Sequence, residues 1–290
     1  MRKAVKKAFQ TVAILLLFSS IAWSGKVLAN KRTDALRTQA AGLDESFVSV
    51  ELSTGVEQSG VLSLANGSRS PKHLVAMIPG WPCVIRPKVI GGMISDIKIP
   101  GNFLIRSRRF LVDADIATLL VDCRSDSGDE CSPSYQSSPQ REQDLRKLIL
   151  EVKRANPTIE SVWLVGTSGG TITSAYIATS VSDLYSGFIH TSTIVRPADS
   201  FWSVMGSVNY GKASIPQLFI HHLRDPGKQT PHTGVEEIAN KYRLPLVTVV
   251  GSAPVRGAID EHSFIGRERE VMLEISRAVK SKRFVTKVIP

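Results

Sequence analysis

A serine, an aspartate and a histidine in this sequence have the surroundings of a nucleophile, its acid and its base. Ser168 stands in Gly166-Thr167-Ser168-Gly169-Gly170, where an apolar run stops and a helix-like segment follows at once. A serine hydroxyl is a poor nucleophile at neutral pH, so it has to project into a cleft where a base can reach it. A tight strand-to-helix turn provides that position, strains the serine backbone and leaves room only for glycines beside it. The pattern predicts Ser168 as the nucleophile, and an ordinary Gly/Ser loop is the alternative.

The acid and the base follow later apolar runs. Asp225 comes after Leu218–Ile220 and ahead of Pro226-Gly227, and we expect its carboxylate to accept the Nδ1 proton of the base. His262 lies in the loop after the last of these runs, just ahead of the final predicted helix, and it is the candidate base. A simple turn aspartate is the alternative for Asp225, and Asp199 is the second candidate for the acid.

Two backbone N–H groups are needed to stabilise the negative oxygen that forms when a serine attacks a carbonyl group. Gly169, directly after the nucleophile, is the first candidate. The second is Trp81, because the neighbouring Pro82 has no N–H and Gly80 permits the turn. The sequence therefore predicts an oxyanion hole made by Trp81 and Gly169.

The remaining histidines show no catalytic or metal-binding pattern. His221 and His222 are neighbours on one predicted strand, so their side chains point to opposite faces and at most one can face the core. We expect both to be structural, together with His73 and His190, and His232 has no partner at the spacing of a metal site. The sequence predicts no metal ion and no organic cofactor.

Short apolar runs alternate with helix-like segments along the chain. The first two runs, Phe47–Leu52 and Val61–Leu64, alternate apolar and polar residues and predict an antiparallel hairpin. Six later runs are typical of strands buried on both faces: Leu74–Ile78, Ile116–Val121, Val162–Val165, Phe188–Ile189, Leu218–Ile220 and Leu246–Val250. Helices are predicted at Gln140–Ala155, Thr171–Ser180, Val235–Tyr242 and Arg267–Val279. This order predicts an α/β fold with a mostly parallel eight-stranded sheet and helices on both faces.

Three cysteines allow one disulfide and one free thiol. Cys123 and Cys131 flank the Ser/Asp/Gly-rich residues 124–130, and we expect a disulfide that closes this loop. Pairing of Cys83 with either of them, and three reduced thiols, are the alternatives.

The first residues have the three parts of a secretory signal peptide. A basic stretch precedes an apolar stretch from Val12 to Trp23, which is shorter than the roughly 18 residues of a membrane span. Val27-Leu28-Ala29 predicts cleavage after Ala29, which gives a signal peptide over residues 1–29 and one domain over residues 30–290. We expect an exported protein, periplasmic or extracellular, with no stable membrane anchor after cleavage. A permanent anchor is the alternative.

The formal net charge of +10 overstates the basicity of the mature protein. Five basic residues and no acidic residue leave with the signal peptide, which brings the charge to +5. The basic clusters at Arg106 to Arg109 and at Lys280 to Arg283 have no interleaved aromatic pattern of a single-strand-binding surface. We expect solvated helix faces there and no nucleic-acid partner.

The order Ser168, Asp225, His262 resembles the nucleophile, acid and base of the α/β-hydrolase superfamily. The resemblance covers nearly all of the chain after residue 29. A closer similarity is to a little-described group of bacterial exported hydrolase-like proteins, and it lies in Gly101–Arg108, Leu120-Val121-Asp122, His221-His222 and Thr230-Pro231. The resemblance implies the α/β-hydrolase fold and the catalytic triad, and it brings no substrate.

These residues predict a serine hydrolase that acts on a small-molecule ester or amide, with a carboxylesterase as the default. An amidase or peptidase for small substrates uses the same residues, and a binding protein on the same fold is the alternative of a different class. Haloalkane or epoxide chemistry is disfavoured, because on this fold it would place an aspartate at position 168. About twenty residues separate the sixth and seventh predicted strands, too few for a large cap domain. Candidates in that segment for an apolar acyl entrance, or for core packing, are Phe201, Trp202, Met205 and Tyr210.

Overall fold

The computed structural model describes residue 34 and residues 38–180, 183–195, 200–251 and 261–290, with the backbone alone at 200–202. Residues 39–290 form one structural unit and residues 1–38 another. The predicted signal peptide, residues 1–29, and Asp199 both lie outside the described residues. Among the helices of the described ranges, none is long and apolar enough to span a membrane.

A central sheet of nine strands carries the fold, and a two-stranded hairpin stands apart from it. The strands are β1 Leu43–Ser53, β2 Val56–Ala65, β3 His73–Ile78, β4 Lys88–Ile90, β5 Met93–Asp96, β6 Ile116–Val121, β7 Ser161–Thr167, β8 Gly187–Thr191, β9 Gln217–His222, β10 Leu246–Val249 and β11 Lys287–Ile289. The central sheet has the order β1-β2-β6-β3-β7-β8-β9-β10-β11, and the hairpin pairs β4 with β5. β2 is antiparallel to both β1 and β6, and all other pairs in the central sheet are parallel.

The sequence predicted eight strands, and all eight predicted runs form strands of the central sheet. The ninth strand, β11, has only three residues, and its Val288 is exposed, so no apolar run marks it. Its pairing with β10 defines it as a strand. The hairpin β4–β5 was not predicted either, because its strands have three and four residues.

Within the described residues after position 42, six α-helices accompany the strands. They are α1 Phe103–Ser107, α2 Pro133–Gln136, α3 Pro139–Ala155, α4 Thr171–Thr179, α5 His232–Tyr242 and α6 Glu268–Ser281. The four predicted helices are α3 to α6, with ends within three residues of the prediction. α3 begins where the Ser138 hydroxyl accepts a hydrogen bond from the Arg141 N–H and Pro139 occupies the first turn.

The core lies on both faces of the parallel strands. Every residue of β6, β7, β8 and β9 is buried. Since successive side chains of a strand point to opposite faces, both faces must be covered. On α3, Leu145, Leu148 and Val152 pack into the same cluster as Leu164 of β7. Residues 192–216, which join β8 to β9, contain two short 3-10 helices and leave no room for a large cap domain.

The cysteine prediction is confirmed. Cys123 and Cys131 form a disulfide with their Cα atoms 5.7 Å apart, and Cys83 is a free, buried thiol. Burial raises the pKa of the Cys83 thiol to about 12. The thiol is therefore protonated at neutral pH, which agrees with a packing role.

The expectation that the arginines at 106–109 lie on a solvated helix face was wrong for two of them. Arg108 is 1% exposed and forms a two-pronged ion pair with Glu45, with nitrogen-to-oxygen distances of 2.7 and 2.9 Å. Arg106 donates to the carbonyl oxygens of Gly101 and Ser263 and to Glu268. Sequence charge alone did not reveal these partners, because they are up to 162 residues away along the chain.

Candidate active site

Ser168 occupies a strained turn between β7 and α4. Its backbone φ is 50°, a left-handed conformation that residues other than glycine rarely adopt. A single 3-10 turn, Ser168–Gly170, links the end of β7 to the start of α4. A Cβ on Gly166 would lie 2.5 Å from Ser174 Oγ, and one on Gly170 would collide with the carbonyl oxygens of Ile78 and Pro79. The backbone geometry therefore confirms the predicted turn and its need for glycine.

Asp225 and His262 are in direct contact, although 37 residues separate them along the chain. His262 Nδ1 lies 2.9 Å from Asp225 Oδ2 and 3.1 Å from Oδ1. The aspartate side chain is fully buried, whereas the histidine side chain is 22% exposed. The carboxylate is thus inside the protein and the imidazole is partly exposed, which is the arrangement that a buried acid and an accessible base would require.

Three further groups hold the Asp225 carboxylate. The Gly227 N–H and the Thr230 hydroxyl donate to Oδ1 at 2.8 and 3.0 Å. His221 Nε2 lies 3.3 Å from Oδ2 and 2.8 Å from the Thr230 carbonyl oxygen. Because the Thr193 N–H donates to His221 Nδ1, the proton of this ring belongs on Nε2, between the Thr230 carbonyl oxygen and the carboxylate.

These donors decide the charge of Asp225. Burial by itself would raise the pKa of its carboxyl group, but the hydrogen bonds from His221 and His262 outweigh burial and hold the pKa below its ordinary value. Asp225 is therefore ionised at neutral pH. An ionised partner on Nδ1 leaves Nε2 of His262 as the nitrogen that can accept a proton.

The loop that carries His262 is anchored at three consecutive residues. The Ser192 hydroxyl donates to the His262 carbonyl oxygen at 2.6 Å, and Arg106 Nη2 donates to that of Ser263 at 2.5 Å. Phe264 is fully buried, and its ring packs against Phe103 of α1 with the centroids 4.9 Å apart. His262 and its loop are thus fixed to the residue directly after β8 and to α1, as well as to Asp225.

The serine side of the site is less tightly connected. Among the described residues, no hydrogen bond joins the Ser168 hydroxyl to the His262 ring. Contacts between a nucleophile and its base commonly tighten only in the substrate complex. Gly80 lies beside the serine, since a Cβ on Gly80 would be 3.2 Å from Ser168 Cβ. The two predicted oxyanion donors come directly after these neighbouring residues: Trp81 follows Gly80 along the chain, and Gly169 follows Ser168. Their role stays a prediction.

The prediction that at most one of His221 and His222 faces the core was wrong. Both are fully buried, because the sheet is covered on both faces. His222 bonds to the backbone of Arg224 and Gly251, which is a structural role. His221 reaches Asp225, a function that the sequence analysis missed. Its position four residues before Asp225, at the end of the same predicted strand, was the available signal.

Two other predicted site features concern metals and the remaining histidines. In the ranges that the structure describes, no group of three or more His, Cys, Asp or Glu side chains is placed to hold a metal ion. His190 is enclosed by Ser174 and Gln217, and burial lowers its pKa to about 4. It is neutral at physiological pH, as a structural histidine in a core would be.

Comparisons with known proteins were made by sequence and by structure. No family model matches the sequence, and no curated protein matches it. The solved structure of Est1E from Butyrivibrio proteoclasticus is similar with a TM-score of 0.54 and 12% identity, over 82% of this chain and 98% of that protein. The esterase Pf2001 of Pyrococcus furiosus gives a TM-score of 0.56 and 16% identity, over 82% and 93%. A membrane phospholipase A, described as a bacterial virulence factor, gives 0.55 and 12%, over 95% and 98%.

The chain has the α/β-hydrolase fold. In the α/β-hydrolase fold the nucleophile, the acid and the base follow one another in that order along the chain. Ser168 directly follows β7, Asp225 comes shortly after β9, and His262 comes after β10, so this chain has candidates in the same order. At these levels of identity the similarity concerns the fold, and the chemistry has to be argued from the site itself.

Proposed function

We propose that this protein is an exported serine hydrolase that cleaves ester bonds through an acyl-enzyme, with Ser168, Asp225 and His262 as its triad. The observation that carries the proposal is the contact of 2.9 Å between Asp225 and His262, in a chain whose Ser168 occupies a strained turn. A turn aspartate without a catalytic role has no need of a partly exposed imidazole held in this orientation.

In the proposed reaction, His262 Nε2 removes the proton of the Ser168 hydroxyl as its oxygen attacks the ester carbonyl carbon. The resulting imidazolium is stabilised by ionised Asp225, and it then gives its proton to the departing alcohol. Water, deprotonated by His262, attacks the acyl-serine in the second half and releases the acid. The N–H groups of Gly169 and Trp81 are proposed to stabilise the oxyanion in both halves, each contributing roughly 3 kcal/mol to the lowering of the barrier.

Two cavities border the segment that joins β8 to β9, and neither is lined by Ser168, Asp225 or His262. One has a volume of about 220 Å³ and is lined in part by Ile172 of α4, and the other has about 270 Å³ and is lined by Ile194 and Tyr210. Met205 lines both. The sequence analysis named Met205 and Tyr210 as candidates for an acyl entrance or for core packing, and their burial in one hydrophobic cluster with Ile172 and Phe219 favours core packing.

Export is part of the same proposal. A disulfide persists in oxidising compartments, so the Cys123–Cys131 bridge supports a periplasmic or extracellular location. The signal-like residues 1–29 agree with it. N-terminal sequencing of the exported protein tests the cleavage, which is expected to leave Asn30 first.

Hydrolysis of p-nitrophenyl esters from acetate to palmitate tests the proposal. We expect turnover by the mature protein and loss of turnover in Ser168→Ala. The acyl chain length that is cleaved fastest then gives the size of the acyl-binding pocket. The exposed Ser207 offers a matched control, since Ser207→Ala is expected to keep full activity and full labelling by a fluorophosphonate probe.

Labelling and turnover together separate the competing functions. A folded wild-type protein whose Ser168 is labelled but which cleaves no ester would favour an amidase or peptidase. A protein that is neither labelled nor active on esters and amides would favour a binding protein on the same fold.

A further inference from the structure

The hairpin β4–β5 exposes apolar side chains at its tip. Ile90 and Met93 are 69% and 68% exposed, the highest values among the large apolar side chains of the described residues. Gly91 and Gly92 form the turn between them with φ of 58° and 80°. The tip therefore has no polar side chain that could shield its apolar residues from water.

The register shows that the apolar character extends around the tip. Ile90 pairs with Met93 and Val89 with Ile94, so the two pairs point to opposite faces of the hairpin. Val89 is 43% exposed, and Ile94 is half-buried on a strand that lies beside β1. A hairpin packed against protein on one face ordinarily carries polar residues on the other. Here the other face carries apolar residues as well.

The charged residues lie one step farther from the tip. Lys88 and Asp96 form an ion pair at 3.6 Å, and the Lys88 side chain is 72% exposed. Two apolar residues on each strand extend about 7 Å beyond this pair. Amphipathic elements that lie in a membrane interface bury their apolar face by roughly 5–10 Å. The charged pair would then lie at the level of the lipid headgroups.

The size and shape of the tip favour a lipid surface over a protein partner. Two side chains of this kind remove on the order of 100 Å² each from water when buried. A stable protein interface needs roughly 800 Å² on each partner, together with a matching shape. A fluid apolar layer imposes neither requirement on a convex tip.

Both ends of the hairpin lead to the nucleophile. Its strands are joined at the base by a hydrogen bond of 2.7 Å from the Lys98 N–H to the Ile85 carbonyl oxygen. The chain enters the hairpin from Gly80, beside Ser168, and leaves it toward Asn102, whose Nδ2 would be 3.1 Å from a Cβ on Gly80. Trp81, on the entering side, is 43% exposed. A surface that holds the tip therefore holds the chain segments that border the serine.

We propose that the hairpin tip, residues 89–94, inserts into a lipid surface, and that esters held in that surface are the substrates. The substrate class rests on the proposed ester hydrolysis, whereas the binding itself does not.

Binding is tested by co-sedimentation with phosphatidylcholine vesicles, using the mature protein with Ser168→Ala so that no lipid is consumed. We expect the partition coefficient to fall at least tenfold in the double variant Ile90→Ser, Met93→Ser. The matched control is Leu150→Ser, Leu273→Ser, which removes side chains that are 47% and 52% exposed on α3 and α6 and is expected to change the partition less than twofold. Circular dichroism melting verifies that each variant is folded.

Activity gives the second readout. With Ser168 intact, the variant Ile90→Ser, Met93→Ser is expected to keep its kcat/KM on a soluble acetate ester and to lose at least tenfold in kcat/KM on an emulsified long-chain ester. Soluble-ester turnover without vesicle binding would overturn the inference and leave the proposed function standing. Vesicle binding that needs the hairpin, without turnover of any ester, would overturn the proposed function and leave the lipid binding standing. A protein that binds no vesicles but self-associates, and loses this self-association in the hairpin variant, would overturn the lipid proposal and show that the tip binds a second copy of this chain.

Discussion

Asp122 and Asp225 are two buried aspartates that follow strands of the same parallel sheet, and each has four donor groups around its carboxylate. Asp122 comes directly after β6, and its donors are the N–H groups of Ile85, Arg86 and Cys123 and the Arg86 guanidinium. Asp225 comes after β9, and two of its four donors are the imidazoles of His221 and His262. The two carboxylates thus have the same number of donor groups, but the donor groups differ in chemistry.

The difference separates a carboxylate that serves the structure from the one that we propose to act in catalysis. The donors of Asp122 are backbone amides and a guanidinium, none of which loses its proton in a protein. Arg86 continues from Asp122 to the carbonyl oxygens of Cys123 and Gly128, inside the disulfide loop. Asp225 instead faces groups whose protons can be relocated, and one of them is partly exposed. The role of a buried aspartate is therefore indicated better by its hydrogen-bond donors than by its degree of burial.

The largest expected effect concerns the activity of Asp225. In Asp225→Asn an amide replaces the carboxylate, so His262 loses the partner that fixes its tautomer and stabilises its imidazolium, and kcat is expected to fall about 10³–10⁴-fold. Asp122→Asn is the matched variant and is expected to keep kcat within about twofold. Steady-state kinetics on the best ester measure both. An Asp225→Asn protein within tenfold of the wild type would make Asp225 a simple turn residue.

The comparison predicts the opposite order for stability. Asp122→Ala leaves three backbone N–H groups without their acceptor and removes the ion-pair partner of Arg86. The guanidinium keeps its carbonyl acceptors and is 28% exposed, so part of its charge stays solvated. We expect a loss of about 3 kcal/mol in the free energy of unfolding by urea. Asp225→Ala is expected to cost about half as much, because its imidazole and hydroxyl donors carry no obligatory charge. Equal losses would show that the two carboxylates stabilise the fold alike.

The smallest expected effect concerns His221, which we interpret as a positioning residue. His221→Phe keeps an aromatic ring and removes the donor to Asp225, and kcat is expected to fall about tenfold with little change in KM.

His221→Gln can donate from its amide and is expected to recover part of the activity. A His221→Phe protein with unchanged kcat, or a His221→Gln protein that recovers none of the lost activity, would return this residue to a purely structural role.

The sequence predicted the parts of this protein that depend on local patterns. The turn at Ser168 was predictable because its steric demand for glycine is met within five residues. Asp225 and His262 were predictable from their places after buried strands, since such strands are apolar throughout. His221, Ser192 and Arg106 were missed in their roles, because each acts on a residue between 4 and 157 positions away.

The sequence by itself determined the order of strands and helices, the loops that carry the nucleophile, acid and base, and the loop that the disulfide closes. These features follow from periodicity, from glycine sterics and from spacing, all of which are local. Only the tertiary structure decided that Asp225 contacts His262, that Asp122 binds Arg86, and that the apolar hairpin tip is exposed at the protein surface. Such contacts depend on which strand ends and loops come together at the same edge of the sheet, and chain distance carries no information about that.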